Sequence, residues 1–406
     1  MPVDSETSIG ASRRRSRLSQ ALLQVSLVAL SLCFVFAAGE GALRLAYGGA
    51  TPYFVSQIVQ YDAQLGWKLV PGDYEFFNAA SFTHVHASIH AIGLRNDPLP
   101  PKIPAPRRRV TVVGDSFVFS EGLTDGERFT DELERRLGPD CDVVNAGVPG
   151  YGTGQQLLLV EALRARGFEL GKTLVLVFFT NDISDNAGLE HESLEPDPQK
   201  PAFEVRDGEL IHNAVAPWPA VPTEAIAAHL GRRSLFVAFL RQRVELLVAS
   251  RPGVVAAFAR AGARVPMSRT PGVILGWYAP GWEARWERTR DVLGHFAKRA
   301  RADGSELLIV FMPSPFQTEE VFEEVLRSHA DEPLNAAFLA DIDRPQRMLL
   351  DFCAHAQLDC FDLTSALRAP RDQPAFFLHE GHLNAVGSSL VAVALHEALA
   401  ARDLPK

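Results

Sequence analysis

A chain of 406 residues can bury a sizeable core, and 47% hydrophobic with 22% charged residues excludes disordered, coiled-coil and collagen-like classes. The formal net charge of −9 lacks the basic footprint of a nucleic-acid binder. Four cysteines without a CxxC pair are too few for a disulfide-built scaffold.

The first element is an uncharged run from Leu18 to Gly39, preceded by Arg13, Arg14, Arg15 and Arg17. At about 1.5 Å per residue such a helix reaches roughly 33 Å, enough to cross a bilayer core. The arginines before it, with none immediately after, predict a cytoplasmic basic tail over residues 1–17 and a single-pass inner-membrane anchor over 18–39. The body then lies in the periplasm or an equivalent extracytoplasmic space. Ala37-Ala38-Gly39 would also serve as a signal-cleavage site, although the length of the run favours an uncleaved anchor. In an oxidising compartment, Cys353 and Cys360 are close enough in sequence to bridge a helix end to the next strand, leaving Cys141 as a free thiol.

Residues 40–105 read as a juxtamembrane linker or cover, proline-rich at its end. Over residues 106–402, short apolar runs alternate with helical patterns, the signature of a parallel sheet. The runs are Val110 to Val113, Val143 to Asn145, Leu174 to Phe179, Leu307 to Phe311, and Cys360 to Leu363. Thr124 and Glu127 form a capping box ahead of the first helical pattern, Gly167 closes the second, and further helices are expected over Trp286–Arg301, Pro345–Ala356 and Ala385–Ala400. The predicted fold is α/β, a doubly wound parallel sheet in a three-layer α/β/α sandwich behind an N-terminal transmembrane helix. Residues 186–280 interrupt this rhythm as an insert. Its segment Gly231–Thr270 sets eight arginines against the single acid Glu245. That charge suits a cap facing an acidic substrate or an anionic membrane surface; a solvated helix docked through Leu235, Phe236, Phe239 and Leu240 is the plainer account.

Gly114-Asp115-Ser116-Phe117 directly follows the first apolar run. Open parallel sheets bind ligands at the carboxyl ends of their strands, so Ser116 stands where a nucleophile would be placed. Asn145-Ala146-Gly147-Val148-Pro149-Gly150 follows the second run, Thr180-Asn181-Asp182 the third, and His379-Glu380-Gly381-His382-Leu383-Asn384 comes after the last. All four segments fall at one edge of the predicted sheet.

With these blocks in this order, the sequence resembles the SGNH hydrolases, also called GDSL esterases, whose blocks carry Ser, Gly, Asn and His. The resemblance covers roughly Arg109 to Asn186 and Trp282 to Ala400, and Gly93-Leu94-Arg95 is similar to a segment that precedes the serine block in membrane-anchored members. It implies an ester hydrolase with Ser116 as nucleophile and His382 as its base. The oxyanion hole would come from the backbone N–H groups of Ser116 and Gly150 and the side-chain amide of Asn181, with no cofactor or metal. Family members commonly place Asp three residues before the histidine, and some place it two before. The former position is His379 here, so Glu380 is the expected acid, with a Ser–His dyad as the alternative if Glu380 points away. Asp115 is expected to brace its turn, Asp182 its own loop, and Asn384 to cap the last helix. The expected partners are an ester or acylated carbohydrate substrate and the inner membrane, with no nucleic acid. Two other readings stay open: an O-acetyltransferase acting on an envelope or exopolysaccharide hydroxyl, and a catalytically silent binding module.

Several motifs carry less. His379-Glu380-x-His382 is one residue short of a zincin helix signature, and His84, His86 and His90 lack companion ligands. Gly171-Lys172-Thr173 precedes a strand instead of following one, so it is no phosphate loop, and no GxSxG elbow occurs. Trp277, Tyr278, Trp282 and Trp286 could stack on a sugar, although core packing is the simpler reading.

Overall fold

The structure, a computed structural model, describes residues 5–46, 51–52, 58–78, 83–190, 193–216, 234–237, 239–240, 271–369, 371–378 and 380–402. His379 and most of the basic segment Gly231–Thr270 lie outside the described residues.

An N-terminal extension precedes the main sheet. Helix α1 (Ser5–Ala46) contains Leu23–Ala46, a stretch long and apolar enough to cross a membrane. It extends past the expected end at Gly39, because Glu40, Gly41, Ala42, Leu43, Arg44, Leu45 and Ala46 continue the helix, with Arg44 bonded back to Glu40 one turn earlier. Residues read from sequence as a linker or cover form two antiparallel hairpins: β1 (Val59–Asp62) with β2 (Gly66–Leu69), and β3 (Gly72–Asn78) with β4 (Thr83–Ile89).

The main sheet has five parallel strands: β5 (Arg108–Gly114), β6 (Cys141–Gly147), β7 (Thr173–Phe179), β10 (Glu306–Met312) and β11 (Asp359–Asp362), ordered β11-β10-β7-β5-β6. Between β7 and β10 the insert contributes the small hairpin of β8 (Phe203–Arg206) and β9 (Glu209–His212). Alternation along the strands explains the apolar runs, since both faces are covered. One face carries Val113, Leu174, Leu176, Phe178, Ile309 and Phe311 into a core with α4 (Thr153–Ala165), α7 (Trp282–Ala302), α8 (Arg344–Ala356) and the extension. The other carries Val110, Val112, Val175, Val177, Leu308 and Val310 against α3 (Phe129–Leu137) and α9 (Ala385–Ala400). The fold is therefore the expected doubly wound α/β/α sandwich. The chain leaves β5 first to β6 on one side and then to β7 on the other, so the topological switch point falls between the carboxyl ends of β5 and β7.

Local differences have identifiable causes. The Thr124–Glu127 pair closes a turn and does not cap α3, because Asp131 takes the backbone N–H groups of Gly126 and Arg128 and makes Arg128 the N-cap. Gly167, at φ +78°, ends α4 as expected. Cys353 and Cys360 form a disulfide with Cα atoms 6.2 Å apart, joining α8 to β11, and Cys141 is a buried free thiol. The aromatic group is core: Trp277 is fully buried against Trp286, and Arg344 lies over Tyr278 and Trp282.

Candidate active site

Ser116 opens the single-turn helix α2 (Ser116–Phe119) at the carboxyl end of β5. Asp115 caps that turn: its Oδ1 accepts from the Phe117 N–H at 2.9 Å. Asp115 is fully buried, and burial pushes its carboxyl up to about 7, with the Asp185 and Glu121 carboxylates adding to the rise and the Phe117 N–H and Asn181 opposing it. Asn145, from β6, donates to Val118 O at 2.6 Å and to Thr130 Oγ1 at 3.0 Å, fastening α2 to the neighbouring strand and to α3.

His382 comes from the loop between Phe376 and Leu383, which pair across an isolated bridge just ahead of α9. Its Nε2 lies 2.9 Å from Ser116 Oγ, although 266 residues separate the two in sequence. Asn384 accepts from the Val386 and Gly387 N–H groups and donates to Pro374 O and Phe376 O, so one side chain caps α9 and closes the histidine loop. The Phe117 ring sits 5.1 Å from the imidazole and 4.2 Å from Phe179, an apolar wall behind the reacting pair. Burial pulls His382 below its usual 6.5, with Glu380 opposing that pull, so the imidazole is poised as a neutral base.

Glu380 lies close enough to act on His382 electrostatically, but the two share no hydrogen bond, and His382 Nδ1 has no hydrogen-bond partner among the described residues. One Glu380 oxygen instead sits 2.7 Å from where a Cβ on Gly122 would stand, so Gly122, at φ +83°, is what lets the histidine loop close against the segment after α2. The structure thus leaves this sequence-predicted acid beside the imidazole but turned from it.

Gly150 follows β6 at φ +77°, a conformation that favours glycine. Asn181 follows β7 at the start of α5 (Asp182–Asp185), and its carbonyl accepts from Ser184 N and Asp185 N. Asp182 accepts from the Phe179 N–H at 2.9 Å, and burial together with Asp115 and Asp185 pushes its carboxyl well above the usual range. Asp185 pairs with Lys200, a buried lysine of the insert. Trp277, on α6 (Gly272–Tyr278), donates its indole N–H to Thr180 O at 2.8 Å and fixes the approach to Asn181.

Sequence reasoning misses three neighbours. Glu121 Oε2 stands 3.8 Å from His382 Nε2; in sequence it is a lone acid before a turn glycine. Trp67, on β2, donates to Pro149 O at 3.0 Å and covers Gly150. Arg95, marked in sequence only as part of Gly93-Leu94-Arg95, donates to Phe119 O, Ser120 O and Leu123 O of the loop after α2. Among the described residues, no group of three or more His, Cys, Asp or Glu could hold a metal ion.

No family model and no curated protein matches the chain. Among solved structures, it is similar to the crystal structure of TesA (15% identity, 72% of this chain and 98% of that chain, TM-score 0.34). It is also similar to the lipase/acylhydrolase from Enterococcus faecalis (12%, 74% and 98%, TM-score 0.36). A third is a catalytic mutant of Axe2, an acetylxylan esterase from Geobacillus stearothermophilus (9%, 73% and 96%, TM-score 0.35). The Ser, Gly, Asn and His blocks thus lie in order along a doubly wound parallel sheet, with the serine hydrogen-bonded to the histidine.

Proposed function

We propose that this protein is a membrane-tethered, extracytoplasmic serine hydrolase that cleaves an acyl or acetyl ester through an acyl-enzyme on Ser116. The observation that carries this reading is the 2.9 Å contact between Ser116 Oγ and His382 Nε2. A serine hydroxyl becomes an effective nucleophile when a neutral imidazole takes its proton, and burial keeps His382 neutral. Ser116 Oγ bonds to the ester carbonyl carbon as its proton moves to Nε2. The carbonyl oxygen then carries the negative charge, met by the Ser116 and Gly150 N–H groups and the Asn181 amide. As the ester C–O bond breaks, Nε2 returns the proton to the departing alcohol oxygen, and water repeats the sequence to release the acid. Asp115 braces the serine turn, and Glu380 serves as the triad acid by rotating its carboxylate onto Nδ1 as the imidazolium forms.

The span Leu23–Ala46, the arginines before it and the Cys353–Cys360 disulfide support an anchored body in an oxidising compartment. The test is hydrolysis of p-nitrophenyl acetate by the detergent-solubilised full chain. Turnover should fall on the order of 10⁶-fold in Ser116→Ala. A fully active Ser116→Ala protein would refute the mechanism, and acetyl transfer to a sugar hydroxyl in preference to water would redirect it to a transferase.

A further inference from the structure

The Gly93-Leu94-Arg95 segment and Glu121 have no part in the chemistry above, yet the structure couples them. Arg95 is 0% exposed. Its Nη1 donates to Phe119 O (2.9 Å) and Ser120 O (3.1 Å), its Nη2 to Leu123 O (2.7 Å) and His86 O (3.0 Å), and its Nε to Asp125 Oδ1 (2.8 Å). The guanidinium therefore holds the backbone on both sides of Glu121. Ser120, at φ 62°, and Gly122, at φ +83°, turn the chain sharply around it, and the Glu121 N–H donates to Ser116 O at 3.3 Å. A loop fixed at so many points presents the Glu121 carboxylate at a defined place, 3.8 Å from His382 Nε2 and largely buried.

That place is on the reacting edge of the imidazole. An acid that orients the ring would bond Nδ1, so Glu121 is not that acid. The nitrogen it faces is the one that must hand a proton to the alcohol oxygen of the ester, which requires that oxygen to come within about 3 Å of Nε2. Polar groups two or three bonds beyond the alcohol oxygen then fall within reach of Glu121. Both charged side chains set against His382 among the described residues, Glu121 and Glu380, are acids. A carboxylate there accepts a hydrogen bond from a second hydroxyl and repels an anionic group.

We infer that Glu121, held by Arg95, is a specificity-determining residue that selects esters of neutral polyhydroxy alcohols over esters of anionic ones. The inference rests on the esterase reading and names its alcohol side. Three acetate esters of equal length test it: ethyl acetate, ethylene glycol monoacetate and O-acetylglycolate, which end in methyl, hydroxymethyl and carboxylate. In the wild-type full chain, kcat/KM should fall in the order glycol, ethyl, glycolate. Glu121→Ala should reduce the glycol-to-ethyl ratio about tenfold, the worth of a hydrogen bond to a charged group, and Glu121→Gln should raise the glycolate-to-ethyl ratio by a similar factor. Each ratio is taken within one protein, so a general loss of rate cancels. A wild type that takes O-acetylglycolate as readily as ethyl acetate, or ratios unchanged within twofold in both variants, would overturn the role of Glu121 while leaving the esterase intact. A wild type inert toward every ester would overturn both.

Discussion

The loops at the carboxyl ends of β5, β6 and β7 supply the groups assigned to nucleophile and oxyanion hole, whereas residues 58–95 supply none and grip two of those loops from outside. Trp67 holds the Pro149–Gly150 turn, Gln155 at the start of α4 donates to Leu65 O at 2.7 Å, and Thr83 donates to Gly122 O at 3.0 Å. Arg95 gathers the carbonyls after α2. The sheet and its loops are self-sufficient in topology; the extension ties down two loops of the proposed acyl-transfer site, which would need fixed dipoles. Substitutions in the two regions should therefore fail differently, and the difference is measurable.

On the loop side, Asn181→Ala should lower kcat about 10²- to 10³-fold with little change in KM, the usual effect of losing one oxyanion donor. Steady-state kinetics on p-nitrophenyl acetate checks it, and an effect below about threefold would remove Asn181 from the hole.

On the extension side, Arg95→Lys should act on stability first. The guanidinium donates to five oxygens in a buried setting, and an ammonium has three donors in a different geometry. At least two of the five bonds are lost, which costs about 2 kcal/mol. Urea denaturation measures this directly, and a variant as stable as the wild type would mean that the loop holds its shape without the clamp.

The acid limb of the pH profile probes the histidine loop, which closes against Gly122 and Ser116. Burial lowers the His382 pKa below 6.5, and only the neutral ring accepts the serine proton. Hence kcat/KM should rise with pH through a midpoint under 6.5. Glu380 opposes that lowering, so Glu380→Gln should move the midpoint further down as well as slow the reaction. A midpoint that does not move would leave the enzyme with a dyad.

How much of this was legible in the sequence follows from the same division. A parallel sheet covered on both faces leaves continuous apolar runs, so β5, β6, β7 and β10 stand out, and polar or glycine-rich blocks at strand ends mark the site. The extension hides because its strands are half exposed, as in Thr-His-Val-His-Ala-Ser-Ile of β4, where a period of two is present but weakly apolar. Its contacts also reach across long sequence separations, Trp67 to Pro149 among them, and no local pattern encodes those. Glu121 was invisible for a different reason: Ser-Glu-Gly reads as an ordinary turn until the histidine loop folds over it. Glu380 was found by its spacing to His382, which fixes proximity but not the direction of a three-bond side chain.

The smallest expected effect lies where the two regions meet. Trp67→Phe keeps a ring over Gly150 and removes only the indole N–H that serves Pro149 O. Losing one neutral hydrogen bond costs about 1 kcal/mol of stability. The kinetic consequence is the sharper measurement. If the extension merely adds stability, kcat is unchanged at temperatures well below unfolding. If it preorganises the oxyanion loop, kcat falls a few-fold with KM constant, because a looser Gly150 N–H serves the transition state less well than the bound ester. A KM effect alone would instead mean that Trp67 lines the substrate cleft, which would move the boundary between scaffold and site one hairpin further toward the N-terminus.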